Sequence, residues 1–176
     1  MEFSPDAFRT GQRMTMEGYD AAQVCLNGHV INEFAETQPE HNQNFCSKCG
    51  SRVISTCTQC NSKVRGHHHD SPGIILVYAI DLPAFCYQCG KPYPWTERRL
   101  VAAQDLVSEA EKLDEREKRI LTESLDDLIR ETPKTPTALM HFKKLVAKAG
   151  SATAEGLKSV LVEVLSEAIR KQIWPS

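Results

Sequence analysis

Apolar residues in the second half of the chain recur three and four positions apart, from residue 97 to residue 173. This spacing places them along one face of an α-helix. The pattern predicts four helices, at about 97–113, 115–131, 136–149 and 153–173. Their apolar stripes indicate a helical core or a surface for self-association.

Residues that favour helix ends stand at the predicted boundaries. Asp114 and Glu117 form the signature of a capping box, in which each side chain accepts a hydrogen bond from the other residue's backbone N–H. Thr135 is the expected N-cap of the third helix with Pro136 at its first helical position, and Gly150 is typical of a helix end. The second half is therefore predicted to be all-α.

The first half alternates short β patterns with turns. The predicted strands are Tyr19–Val24, Val30–Phe34, Ser51–Thr56 and a buried one at Gly73–Ile80. A run of three histidines, His67, His68 and His69, precedes Asp70. We expect this run to lie on a solvated loop, and a supplementary metal site there is the less favoured alternative.

Every cysteine of the chain belongs to a pair with the spacing of metal ligands. The four pairs, one of which is completed by a histidine, are Cys25–His29, Cys46–Cys49, Cys57–Cys60 and Cys86–Cys89. A two-residue gap lets both thiolates of a CxxC pair reach one ion from a tight turn. Eight ligands make two filled tetrahedral shells, so the sequence predicts two structural zinc ions without an open catalytic position.

Two pairings of these turns are compatible with the sequence. Sequential pairing joins Cys25, His29, Cys46 and Cys49 at one site and Cys57, Cys60, Cys86 and Cys89 at the other. The alternative is the cross-brace of RING domains, where the second and third pairs usually stand two or three residues apart. Seven residues separate them here, which favours sequential pairing. His41 is a less favoured substitute for His29, and iron is a less favoured ion for the four-cysteine site.

The chain shows no sign of export or of a membrane segment. Residues 1–20 lack the apolar stretch of a signal peptide, and the longest apolar run, Ile74–Ile80, has seven residues. We expect a cytoplasmic protein, where reduced thiols bind metal instead of forming disulfides.

Charge argues against dominant non-specific binding to nucleic acid. Residues 1–95 carry 7 basic and 9 acidic side chains, and seven thiolates with two Zn²⁺ would bring this half to about −5. A basic group without acidic neighbours in sequence is the exception: Lys48, Arg52, Lys63 and Arg65. These four residues leave nucleic-acid binding as a possible function.

Together these patterns predict an α+β fold, with tandem zinc ribbons of short antiparallel hairpins followed by a helical domain. The predicted divisions are a leader at 1–18, a double zinc-ribbon domain at 19–95 and a helical domain at 96–176. The K-P-Y-P-W-T seam at Lys91–Thr96 separates the last two, with Thr96 as the expected N-cap of the first helix.

Several strings resemble a bacterial family of small double-zinc-ribbon proteins that has no established activity. The strings are Tyr19–Asn32, Phe45–Gly50, Lys63–Gly66 and Phe85–Arg98, and T-P-K-T-P and A-K-A-G in the tail resemble the same family. The resemblance spans about residues 19–174. It implies a bacterial source and two zinc sites at the eight residues of the four pairs.

The sequence predicts a non-enzymatic binding or adaptor protein, because it contains no nucleotide-binding loop, nucleophile elbow or metalloprotease motif. A protein partner is expected, and self-association through the helices is possible. One alternative is a nucleic-acid-binding regulator that uses the four basic residues. Another is an enzyme or a ligase-like scaffold with RING-type cross-braced zinc.

Overall fold

The computed structural model describes residues 18–69, 80 and 82–175. Short antiparallel strands occupy the first part and helices occupy the second. The predicted α+β class is confirmed. Within the described residues, no helix has the length and apolar character needed to cross a bilayer.

Five short strands form two small sheets in the described part of the first half. They are β1 (Gly18–Ala21), β2 (Gln23–Cys25), β3 (Val30–Asn32), β4 (Val53–Ile54) and β5 (Arg65–His69). One sheet pairs β1 with β5, and the other has the order β3-β2-β4. The predicted strand at 19–24 is thus two strands in different sheets. They separate at Ala22, whose N–H donates to the carbonyl of Val64 at 2.8 Å.

The prediction that the three histidines lie on a solvated loop is wrong, because they belong to strand β5. His68 pairs with Tyr19 of β1, and His67 packs against the Phe34 ring at 4.6 Å. Gly66 makes this strand possible, since a Cβ atom there would lie 2.3 Å from the carbonyl oxygen of Glu33. The predicted strand at Gly73–Ile80 lies outside the described residues, apart from Ile80, which is not in a strand.

A buried carboxylate fixes the loop that follows β3. Asp20 is 1% exposed and accepts hydrogen bonds from the backbone N–H of Glu36 at 2.9 Å and the hydroxyl of Thr37 at 2.6 Å. His69 Nε2 lies 3.3 Å from Asp20 Oδ2, the oxygen that also accepts from Thr37. Burial alone would raise the pKa of Asp20, but these hydrogen bonds outweigh it and lower the pKa. The carboxylate therefore ties β1, β5 and the loop together.

Five α-helices form the second half of the chain as described up to residue 175. They are α1 (Pro94–Ser108), α2 (Glu115–Arg130), α3 (Thr135–Ala149), α4 (Ser151–Leu161) and α5 (Glu167–Ile173). The capping box of Asp114 and Glu117 at α2 is present as predicted.

Two predicted helix starts differ from the structure, by three residues at the first helix and by one at the third. The first helix begins at Pro94, with Tyr93 as its N-cap, because Pro94 fits the first helical position and Thr96 turns inward to donate to Ala84 O at 2.7 Å. The third begins at Thr135 with Lys134 at the N-cap, and the Thr135 hydroxyl donates to Asp127 O at 2.9 Å. In both cases a tertiary hydrogen bond takes the hydroxyl that sequence reasoning assigned to a cap.

The fourth predicted helix is two helices, α4 and α5. Ser166 ends the gap between them, because its side chain accepts from Ile169 N–H at 3.3 Å as the N-cap of α5. The apolar stripe nevertheless runs on through the break, and Leu157, Leu161, Val164 and Ile169 are all buried in one core. Self-association through these helices stays a prediction.

A second core lies under the metal-binding turns and includes the start of α1. It contains Ala22, Val24, Val64, Tyr93 and Trp95, together with Cys57 and Cys86. Tyr93 stacks on Trp95 with ring centroids 4.5 Å apart, and the Trp95 indole N–H donates to Pro83 O at 3.0 Å. The first turn of α1 thereby anchors the helices to the metal-binding half.

Candidate metal centres

The eight predicted ligand residues form two groups that can each hold a metal ion, and within each group all ligand atoms lie within 4.8 Å of one another. Site 1 contains Cys25, His29, Cys46 and Cys49, and site 2 contains Cys57, Cys60, Cys86 and Cys89. The grouping is sequential, not cross-braced. His41 belongs to neither group, and the described residues hold no third group of this kind.

The three CxxC turns share one backbone geometry. The residue after the second cysteine has a positive φ, which is 67° at Gly50, 60° at Asn61 and 68° at Gly90. Its N–H donates to the carbonyl of the first cysteine at 2.8, 2.9 and 2.8 Å respectively. Glycine adopts this conformation without strain and asparagine tolerates it, so the turn chemistry explains the residue types. Each turn thus aims two sulfurs at one point.

The Cys25–His29 pair uses the β2–β3 hairpin instead. Gly28 has φ +91°, and the Cys25 N–H donates to His29 O at 3.0 Å. This bend brings His29 Nδ1 to 3.5 Å from the sulfurs of both Cys25 and Cys46. Histidine therefore completes site 1 through its Nδ1 atom.

The distances between ligand atoms fit a tetrahedral zinc ion. With Zn–S bonds of about 2.3 Å, two sulfurs of a tetrahedron stand about 3.8 Å apart. The Sγ atoms of Cys25 and Cys49 are 3.8 Å apart, those of Cys57 and Cys89 are 3.8 Å apart, and those of Cys60 and Cys86 are 3.7 Å apart. These separations are far longer than the roughly 2.05 Å of a disulfide bond.

Hydrogen bonds to sulfur orient the ligands of site 1. The Asn27 side-chain amide donates to Cys49 Sγ at 3.4 Å, and the His29 N–H donates to Cys25 Sγ at 3.3 Å. Arg98 of α1 holds the Asn27 side chain in place by donating to its Oδ1 atom at 2.5 Å. The Ser51 N–H, followed by Asn27 and neighbouring ligands, lowers the pKa of Cys49 to about 6. A thiolate at this position is ready to bind a cation.

Site 2 has a hydroxyl between two of its sulfurs. Ser62 Oγ lies 3.2 Å from Cys60 Sγ and 3.1 Å from Cys86 Sγ. Burial would raise the pKa of Cys86, but Ser62 and backbone N–H groups lower it to about 5. The Lys91 N–H lowers the pKa of Cys89, yet burial and the adjacent Cys60 and Cys86 raise it to about 11. Four thiolates at this spacing repel one another, and a bound cation removes that repulsion.

Sequence reasoning missed the side chains that support the ligands, Asn27, Ser62 and Arg98. Asn27 lies inside the Cys25–His29 turn, and Ser62 lies two residues after Cys60. A polar residue this close to a cysteine ligand in sequence is the signal that could have identified them. Arg98 had no local signal because it reaches site 1 from another element.

The four basic residues do not act alike. Lys63 forms an ion pair with Glu36 at 2.5 Å, and the Arg65 guanidinium lies over the rings of Tyr19 and Tyr87. Lys48 and Arg52 are exposed in the second knuckle, by which we mean the Cys46–Cys49 turn with its flanking residues 45–52. The uncompensated positive charge is therefore smaller than the sequence indicates.

Comparison with known proteins places the chain in a family without assigning it an activity. No curated protein and no solved structure matches the chain. A family profile described as "Uncharacterized protein conserved in bacteria (DUF2321)" matches residues 18–173, a range that includes both metal groups and all five helices. The chain belongs to this bacterial family.

Proposed function

We propose that the protein is a non-enzymatic binding protein in which two structural zinc ions hold an aromatic surface rigid for a protein partner. The observation that carries this proposal is Phe45, which is 64% exposed although it directly precedes the metal-site residue Cys46. An aromatic ring on a rigid turn contributes a large contact area while losing little conformational freedom on binding.

Phe85 is the counterpart of Phe45 in another metal-binding turn of the same chain. Phe45 and Phe85 occupy the same position in their turns, since each directly precedes the first cysteine. Each also forms an antiparallel β-bridge with the residue seven positions later, which is Arg52 for Phe45 and Pro92 for Phe85. Phe85 packs against the helical core, and the Arg130 guanidinium lies 5.0 Å from its ring centre. One knuckle therefore has a docking partner within the chain, and the equivalent ring of the other is exposed.

The residues around Phe45 indicate the chemistry of the partner. Arg52 bridges to Phe45, and Lys48 lies in the same knuckle; both are exposed. A partner with an apolar pocket and a carboxylate rim complements this surface.

The alternatives receive less support from the structure. A nucleic-acid interface loses one of its four predicted cations to the Lys63–Glu36 pair. The ligase-like alternative depended on cross-braced zinc, whereas the metal groups are sequential. We further propose a cytoplasmic location, since both sites need reduced thiols to hold zinc.

A quantitative capture experiment tests the proposal. Three zinc-loaded proteins are immobilised: the wild type, Phe45→Ala and the matched control Val101→Ala, whose side chain is also exposed and apolar on α1. Each is exposed to lysate of a bacterium that carries the family, once without and once with nuclease treatment. We expect the same bound proteins on wild type and Val101→Ala, and their loss on Phe45→Ala. Equal capture by Phe45→Ala, or capture that nuclease abolishes, would contradict the proposal.

A further inference from the structure

Arg65 is an exposed arginine that two tyrosine rings hold in place. Its guanidinium carbon lies 4.8 Å from the ring centre of Tyr19 and 4.0 Å from that of Tyr87. Both tyrosines are 51% exposed. Tyr19 comes from β1, Arg65 from β5 and Tyr87 from the last metal-binding turn, so three separate parts of the first half meet here.

The guanidinium has no anionic partner in the part of the chain that the structure describes. The ion pairs and hydrogen bonds among those residues leave all its N–H groups without an acceptor. An arginine that stacks on aromatic rings keeps its in-plane donors free, and two of them match the two oxygens of a carboxylate. The rings also restrict the side chain before binding, which lowers the entropic cost of capturing a ligand.

We propose that Arg65, with Tyr19 and Tyr87, binds a carboxylate side chain in an acidic segment of a protein partner. This inference rests on the proposed function, because it names the chemistry of a second contact with such a partner. It is separate from the Phe45 surface, since no residue is shared between them.

The local charge favours a carboxylate over a nucleic-acid backbone. The neighbouring cation, Lys63, is already paired with Glu36. Among the described residues Arg65 therefore offers one uncompensated charge, where a phosphodiester chain gains affinity from several. The rings of His68 and Tyr19 pack in a T-shaped arrangement with centroids 4.5 Å apart, which restricts the Tyr19 surface open to a stacking base.

Nuclear magnetic resonance can observe this contact directly. Zinc-loaded, ¹⁵N-labelled protein is titrated with a capped hexaglutamate peptide, and the Arg65 Nε–Hε signal is assigned by its loss in Arg65→Lys. We expect a saturable shift of this signal, while the corresponding signal of Arg116, an exposed arginine on α2, moves little.

Two variants separate the guanidinium fork from charge alone. Arg65→Lys keeps the charge but loses the planar fork, and Tyr19→Leu removes one ring. Binding followed through backbone signals of residues 19 and 87 should weaken roughly tenfold in Arg65→Lys and several-fold in Tyr19→Leu.

Three outcomes would overturn the inference: a stationary Arg65 signal, shifts of Arg65 and Arg116 with the same concentration dependence, or tighter binding of hexathymidylate than of hexaglutamate. The last would identify phosphate as the ligand. If Phe45-dependent capture persists while the Arg65 titration fails, only this inference falls; if capture fails as well, the proposed function falls with it.

Discussion

Single residues in the first half stabilise the fold through tertiary contacts that the neighbouring sequence does not predict. Gly66 has no side chain because the Glu33 carbonyl and the Ala21 backbone occupy that space. Asp20 is buried because five donors from three places surround it. Both residues lie within the sequence segments that resemble the bacterial family, yet the local pattern did not predict their roles.

Replacing Gly66 tests the close approach of β5. In Gly66→Ala the new Cβ would stand 2.3 Å from Glu33 O, so the strand must shift and lose pairing with β1. We expect a loss of about 2 kcal/mol or more in the free energy of unfolding, measured by urea denaturation of the zinc-loaded protein. Gly156→Ala in α4 is the control, because its Cβ would meet only the flexible end of Leu106 and alanine favours a helix. Equal stability of wild type and Gly66→Ala would refute this account of the strand.

Replacing Asp20 tests the buried carboxylate. In Asp20→Asn, an NH₂ group replaces one of the two acceptor oxygens and faces hydrogen-bond donors. This change should lower the free energy of unfolding by about 1–3 kcal/mol at pH 7. Because folding lowers the pKa of Asp20, its contribution is fully present above its ordinary pKa and is lost only as the pH falls through the lower folded-state value. Thermal denaturation at pH 7 therefore reports it in full. Asp126→Asn, which alters an exposed pair with Arg130, should change stability by well under 1 kcal/mol; an equal loss in both variants would show that burial is unimportant.

Among the elements, the metal-binding turns and α2 could be predicted because their chemistry is local. Ligand type, a two-residue gap and a residue that accepts positive φ define a CxxC turn, and Asp114 with Glu117 defines the start of α2. Strand β5 could not be predicted, since three histidines resemble a polar loop until Gly66 is seen against Glu33. The break between α4 and α5 was missed because the buried stripe from Leu157 to Ile169 continues across it.

The break between α4 and α5 depends on the cap at Ser166. Removing it in Ser166→Ala deletes the acceptor for Ile169 N–H and should destabilise the protein by about 1 kcal/mol. Ser159→Ala, at an exposed position inside α4, should be neutral or slightly stabilising. Chemical denaturation compares the two variants. If Ser166→Ala is as stable as Ser159→Ala, the serine does not define the start of α5.

At the scale of the whole molecule, the two hydrophobic cores are stabilised in different ways. The helical core buries a continuous apolar cluster, whereas the core under the metal sites is small and includes two cysteines that belong to site 2. Because such a small core does not offset the entropy of ordering the chain, we expect metal binding to supply much of the folding free energy. Trp95 joins the two halves, because it lies in the first turn of α1 and in the core beneath the metal sites.

The most direct test follows Trp95 while zinc is removed from reduced protein. Trp174→Phe leaves Trp95 as the only tryptophan, and zinc released to a chelator is counted as emission and helical circular dichroism are recorded. We predict two zinc ions per chain and a red shift of Trp95 emission as they leave, with most of the helical signal retained. A metal-free protein whose Trp95 keeps the emission of a buried indole would contradict the central claim that zinc holds the first half together.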